Sequence, residues 1–212
     1  SPPVKSLKPL NIEIPGDPSS ASFFAGAASI LPKSNLILKK ILSNPTRFQF
    51  FNIIRLMGAD MSLTNEGHEA GEKVTDITIN SGNLMGIEIQ ADKIPSIIDE
   101  IPMLAVIATQ AIGKTVIRGA EELRVKESDR INAIVINLRK MGASVEEYDD
   151  GFAITGPTKL KGANIETFND HRIAMAFVVA GLVAKGNTKL DNYDCVDISF
   201  PGFFKMMRRL IK

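Results

Sequence analysis

Cysteine is almost missing from this chain. Cys195 stands alone, so no internal disulfide can form. A small secreted disulfide scaffold is therefore excluded, and a reducing cytoplasm is the expected setting. Histidine is nearly as scarce. His68 and His171 are too few and too far apart for a Cys/His cluster of metal-ligand spacing, so neither a metal nor a cofactor is expected. An excess of charge of one sign is missing too. The 25 basic and 24 acidic residues leave a formal net charge of +1. No global field draws such a chain to nucleic acid or membrane, although a local cationic pocket remains open. No apolar run reaches the roughly 18–20 residues of a membrane span. The first residues, Ser1-Pro2-Pro3-Val4-Lys5, have no signal-peptide apolar core and no initiating Met, which suggests a cut or engineered start. The 44% hydrophobic and 23% charged residues are ordinary for a folded domain. That rules out a disordered chain, a collagen-like repeat and a coiled coil. The 212 residues allow one large domain or two small ones, with enough apolar surface for a single core.

An internal repeat organises the chain. Three apolar, Ala-rich stretches each follow a short polar start: 17–31 (DPSSASFFAGAASIL), 99–112 (DEIPMLAVIATQAI) and 170–184 (DHRIAMAFVVAGLVA). A helix that is apolar around most of its circumference is buried on all sides. Each stretch is followed by a second helix at 45–57, 128–141 and 201–211. The last two have apolar residues at spacings of three and four with basic residues between, an amphipathic pattern. Gly58 and Gly142 stand where helix-ending glycines belong. They lie 84 positions apart, and Asp17 and Asp99 lie 82 apart. Strands fill the gaps at 61–63, 74–79, 115–117 and 188–190. A further pair, 145–148 and 152–155, flanks Asp149-Asp150-Gly151, a hairpin signal. Each unit thus reads strand, buried helix, strand, amphipathic helix, two strands, and the last unit lacks its final strands. The expected fold is α+β, a single domain over 1–212 with units at roughly 8–82, 83–160 and 161–212. The polar segment 65–73 (NEGHEAGEK) is expected to be a mobile loop inside the first unit.

Four segments could carry chemistry. Arg124-Val125-Lys126-Glu127-Ser128-Asp129-Arg130 packs five charged groups into seven residues before an amphipathic helix. It reads as a solvated helix start capped by Ser128 or Asp129. It also reads as an anion site, because helix N-termini favour anions and Arg and Lys reinforce them. Glu127 among such cations could give or take a proton. In Asn169-Asp170-His171-Arg172, Asn169 or Asp170 is expected to cap the third buried helix. His171 is then a packed residue or, alternatively, a proton relay. Arg172 is out of place at the positive end of a helix unless an anion neutralises it. Asp99-Glu100 and Asp17-Pro18-Ser19-Ser20 both look like routine caps. The repeat changes their weight. If the three buried helices run parallel, their starts converge at one end, which would present Lys126, Arg130 and Arg172 to a polyanion.

RVKESDR ahead of a helix ending in MGA, NDHRIAMA, GDPSSASFF and the late FPGFF resemble the 5-enolpyruvylshikimate-3-phosphate synthase (3-phosphoshikimate 1-carboxyvinyltransferase) family, in order and over essentially the whole chain. The resemblance implies one domain of a monomeric, cytoplasmic two-domain clamp, here the C-terminal, phosphoenolpyruvate-binding half. Each domain of such a clamp holds three βαβαββ units. The implied reaction moves the enolpyruvyl group of phosphoenolpyruvate to the 5-hydroxyl of shikimate 3-phosphate and releases phosphate, a step of aromatic amino-acid biosynthesis. By motif, Asp99 is implied to contact the shikimate hydroxyls and help deprotonate the 5-hydroxyl. Lys126 is implied beside that hydroxyl and the phosphate, Glu127 as the acid–base group for the methylene carbon, and Arg130 and Arg172 as the grip on phosphoenolpyruvate.

Two positions depart from the family pattern. Ile198 stands where some members have Lys, leaving Lys205 or another basic group to substitute. Glu122 stands where some have Asn. Other readings are an anion-binding domain without catalysis and an enolpyruvyl transferase acting on a UDP-sugar. The chain alone is expected to fold but not to turn over, because a site shared between two domains loses orientation and water exclusion when one is removed.

Overall fold

The computed structural model describes residue 9 and residues 11–211. The segment Ser1–Lys5 and the expected first boundary at residue 8 lie outside the described residues. The first unit runs α1 (Pro18–Ile30), β1 (Asn35–Leu42), α2 (Gln49–Leu56), β2 (Asp60–Glu69) and β3 (Glu72–Asn80). The second runs β4 (Glu88–Ile89), α3 (Ile101–Ala108), β5 (Gly113–Ile117), α4 (Arg130–Lys140), β6 (Ser144–Tyr148) and β7 (Gly151–Gly156). The third runs β8 (Asn164–Ile165), α5 (His171–Val183), β9 (Lys189–Leu190) and α6 (Phe203–Leu210). The architecture is α+β. Among the described residues, three small sheets have the orders β1-β3-β2, β4-β5-β7-β6 and β8-β9. In the second and third sheets a short leading strand pairs parallel with the strand after the buried helix. In the first unit that leading strand shrinks to one parallel bridge, Gly16 to Ile41.

The apolar stretches do form the buried helices. Every residue of α3 is buried, as are all but Ser20 and Ile30 of α1. Small residues let these helices approach. A Cβ added at Gly26 of α1 would lie 2.7 Å from Met103 of α3. The amphipathic helices α2 and α4 end alike. Gly58 and Gly142 take left-handed φ of 97° and 87°. The amides of Ala59 and Ala143 reach back to Ile54 O and Leu138 O, and those of the glycines to Arg55 O and Arg139 O. This double closure is the Schellman motif, and a Cβ would strain it. The last helix returns to the first: Phe203 of α6 meets Phe23 edge-on at 6.1 Å and Phe24 at 5.5 Å.

Several expectations are corrected. The segment 65–73 is not a loop. It completes a long hairpin in which β2 and β3 pair from Asp60/Asn80 to Glu69/Glu72. β2 is an edge strand, so polar residues suit both of its faces. Opposed irregularities in β1 and β2 are held by buried Asp76, which accepts from Lys40 N at 2.8 Å and Asn65 Nδ2 at 2.9 Å. The helices are also shorter than their apolar runs. At α3, Asp99 and Glu100 lie in the preceding turn, and Thr109 Oγ1 bonds back to Val106 O at 2.7 Å as the helix ends. At α2, Pro45–Arg47 form a turn closed by the Asn44 side chain. At α6, left-handed Gly202 delays the start to Phe203. Among the described residues, no helix is long and apolar enough to cross a membrane.

Candidate active site

The starts of the buried helices converge, and charged side chains join them. Asp17 caps α1 by accepting from Ser20 N at 2.8 Å. Asp170 caps α5 through Oδ1, which accepts from Arg172 N at 2.9 Å. Asn169 does not cap. It sits with Phe168 in left-handed backbone (φ 57° and 53°) and accepts from Asn192 Nδ2. Asp129 caps α4 by accepting from Asn132 N at 2.9 Å. Arg130 is therefore the first residue of α4, and its side chain turns inward, fully buried.

Arg130 is the hub. Its Nε donates to Asp170 Oδ2 at 2.8 Å, Nη1 to Asp99 Oδ1 at 3.2 Å, and Nη2 to Glu127 Oε2. Ser128 Oγ adds a bond to Asp170 Oδ2 at 3.1 Å. Arg172 closes the ring, with Nη2 3.0 Å from Asp99 Oδ2. Four elements, the turn before α3, the loop before α4, and the starts of α4 and α5, thus meet through two guanidinium groups and three carboxylates. The inner and outer bonds differ. Arg130 and Asp170 are both 0% exposed, whereas Asp99 is 41% and Glu127 49% exposed.

Burial and pairing oppose one another here. Burial alone would push the Asp170 carboxyl up, but the Arg130 hydrogen bond and charge and the two backbone N–H groups hold it below the ordinary value. Burial likewise works against the Arg130 charge, and Asp170, with Glu127 and Asp99, more than restores it. Glu100, buried beside these groups, is pushed above the usual carboxyl range by desolvation. A Ser19 hydrogen bond and the Arg172 charge pull it back in part. His171 is 8% exposed and shifted down, by burial first and then by Arg172.

The structure brings together four of the five residues expected at the site: Asp99, Glu127, Arg130 and Arg172. Lys126 stays outside this network, with Nζ 3.9 Å from Glu122 Oε2. Glu122 is thus the neighbour of that lysine. Ile198 is 76% exposed, and Lys205 is exposed on α6. Two readings change. Asp99 is not a helix cap, because Glu100 occupies the capping position of α3. Nor does this end present bare cations. Buried Arg130 needs counter-charges, and both arginines are already paired, so an incoming anion competes with Asp99 and Glu127. The second role of Asp170, holding Arg130, was hidden behind its role as a cap. The burial of Glu100 and the participation of Ser128 carry no local signal in the sequence.

A two-arginine cradle bordered by half-exposed carboxylates can bind a carboxylate or phosphate bidentately beside a proton donor. A sequence model of EPSP synthase (3-phosphoshikimate 1-carboxyvinyltransferase) matches residues 2–207. A 3-phosphoshikimate 1-carboxyvinyltransferase of Sulfurihydrogenibium sp. (strain YO3AOP1) is 48% identical over 97% of this chain. One of Thermoanaerobacter sp. (strain X514) is 50% identical over 96%. Each alignment spans 48% of the relative, so the chain covers about half the length of the curated relatives it matches. Among solved structures, EPSP synthase from Acinetobacter baumannii superposes with a TM-score of 0.91 at 40% identity, over 94% of this chain and 47% of that one. The enolpyruvyl transferase NikO from Streptomyces tendae shares the fold, with a TM-score of 0.71 at 17% identity over 93% of this chain and 43% of its own. With a family match that runs over nearly its whole length, and with converged helix starts that carry an arginine pair, the chain belongs to the EPSP synthase family.

Proposed function

We propose that this chain is the phosphoenolpyruvate-binding half of a two-domain enolpyruvyl transferase, a single domain of three units that closes on a second domain to act. The reaction is transfer of the enolpyruvyl group of phosphoenolpyruvate to the 5-hydroxyl of shikimate 3-phosphate, with release of phosphate. The observation that carries this reading is the pairing of Arg130 and Arg172 with the half-exposed carboxylates Asp99 and Glu127. Two guanidinium groups suit a ligand bearing both a carboxylate and a phosphate. Asp99, bonded to both arginines, helps remove the proton of the attacking hydroxyl. Glu127 delivers a proton to the methylene carbon as the new C–O bond forms. Loss of phosphate and of a proton from the resulting methyl group then regenerates the enol ether. Lys126 swings from Glu122 toward the ligand's phosphate when the domains close. Charge in the tetrahedral intermediate is met by fixed cations, with no metal required.

The test uses the complete two-domain protein. Glu127→Gln and Arg130→Ala should each abolish nearly all turnover, with folding of the Glu127 variant intact by circular dichroism. Wild-type kcat in either variant would sink the proposal. The 212-residue chain alone should bind phosphoenolpyruvate weakly and turn nothing over, because closure supplies much of the affinity and orientation. Turnover by the pure chain would overturn the two-domain reading.

A further inference from the structure

Lys126 and Glu127 stand on the least supported backbone of the site. Residues 126–128 belong to no helix or strand. Val125 before them is 82% exposed, so no apolar anchor holds the loop from beneath. It is suspended between a short 3-10 turn (Glu121–Val125) and α4. Arg130 and Asp129 hold its far end. At the near end stands Arg124, a residue the proposed reaction does not use.

The Arg124 guanidinium is fully engaged. Nε donates to Asp149 O at 2.9 Å. Nη1 straddles the Asp129 carboxylate at 3.0 and 3.3 Å. Nη2 donates to Glu147 Oε1 at 3.2 Å and to Tyr148 O at 2.8 Å. One planar group thus ties the loop's beginning, the cap residue at its end, and the tip of the β6–β7 hairpin. The same tip holds the chain further upstream. Asp150 accepts from Arg118 Nε at 2.6 Å and from Gly119 N at 2.9 Å, and its carbonyl accepts from Ala120 N. The hairpin tip is a platform, and Arg124 is the bolt that fixes the loop to it. A lysine could not replace it, since three donors radiating from one nitrogen cannot span these acceptors.

We infer that Arg124 is a positioning residue for the acid–base step: through Asp129 and the hairpin tip it sets where Lys126 and Glu127 stand. Arg130 and Arg172 are held chiefly by Asp170 and Asp99 instead. Loss of Arg124 therefore weakens the acid–base step more than anion binding, since of the three cations only Lys126 sits on the loop. The kinetic arm of the test rests on the proposed function, and the exchange arm does not.

In the complete enzyme, Arg124→Lys should lower kcat about ten- to a hundredfold, the cost of roughly an ångström of misplacement. KM for phosphoenolpyruvate should stay within about threefold. Unchanged kcat in Arg124→Lys while Glu127→Gln is dead overturns the inference alone. Turnover that survives in Glu127→Gln overturns the proposed function instead. In the 212-residue chain, Arg124→Lys should speed amide hydrogen exchange at Leu123 and Asn132, whose acceptors Ala120 O and Asp129 Oδ1 stand at the two ends of the loop, at least about tenfold, with α3 and α5 unaffected. Unchanged exchange at these two amides, or faster exchange throughout, would overturn the inference, the latter by showing a merely structural role.

Discussion

Two aspartates cap two buried helices and pair with an arginine each, yet the pairs differ in kind. At the start of α1, Asp17 accepts from Ser20 N and meets Arg47 at 3.0 Å, with the two side chains about half exposed (48% and 50%). At the start of α5, Asp170 accepts from Arg172 N and meets Arg130 at 2.8 Å, with both side chains at 0%. An exposed pair gains little over hydration, typically about 0–1 kcal/mol. A buried pair has given up its water, and each partner is needed to keep the other tolerable. The first pair helps tie off a helix. The second fixes the direction of a guanidinium whose other nitrogens face the site.

Breaking the buried pair should have the largest effect. Arg130→Ala or Asp170→Asn should destabilise the chain by about 3–5 kcal/mol in urea titration, since each strands a buried partner. Asp170 also sets a pH signature. Its folded value is lowered, so its contribution is present above the ordinary aspartate range, about 3.9, and is lost as pH falls through the lower folded value. Asp170→Asn should remove that acid limb. A loss below about 1 kcal/mol would place this pair in the same class as the exposed one.

A smaller effect concerns the outer carboxylates. In the proposed function a ligand's anionic groups compete with them for the arginines, so removing their charge should open the cradle rather than damage it. Glu127→Gln and Asp99→Asn in the 212-residue chain should each tighten binding of inorganic phosphate about tenfold, the worth of one charge-assisted hydrogen bond. Calorimetry checks this, and weaker binding in both variants would show that the carboxylates support the site instead of filling it. The exposed pair should respond less still. Arg47→Ala should cost under about 1 kcal/mol and less in high salt, and Asp17→Ala about 1 kcal/mol through the lost cap.

The same contrast separates what is legible in the amino-acid sequence from what is not. Asp17 and Asp170 are legible as caps because a cap acts within three residues of itself. Gly58 and Gly142 are legible because a left-handed helix end has few other occupants. The doubled spacing exposes the repeat, and with it the convergence of helix starts. Asp99 is legible as a candidate through the repeat, but its role only through motif resemblance. Its partners lie 31 and 73 positions away, and nothing local distinguishes it from a cap. The segment 65–73 misleads because an edge strand at the surface has the composition of a loop. The inward turn of Arg130 is hidden for a related reason: charge at a helix start argues for solvent unless buried counter-charges are known. Those counter-charges come from beyond its own helix, and the buried one, Asp170, from another unit.

The smallest effect tests a carboxyl that belongs to neither pair but lies between them. Glu100 is 5% exposed, and Ser19 of α1, Arg172 and Arg47 all act on its carboxyl. Burial raises its proton affinity in the fold above that of an unfolded glutamate, about 4.3. The sign is opposite to that of Asp170. Below that value the carboxyl is protonated folded or unfolded, and its contribution is intact. As pH rises through the folded value, the unfolded chain ionises more readily, and stability is lost. Glu100→Gln stays neutral throughout, so its urea midpoint should fall less than that of the wild type between about pH 5 and pH 8. Parallel profiles would mean that Arg172 and Arg47 neutralise Glu100 fully, making it a third partner of the arginine pair instead of a buried neutral spacer between α1 and α3.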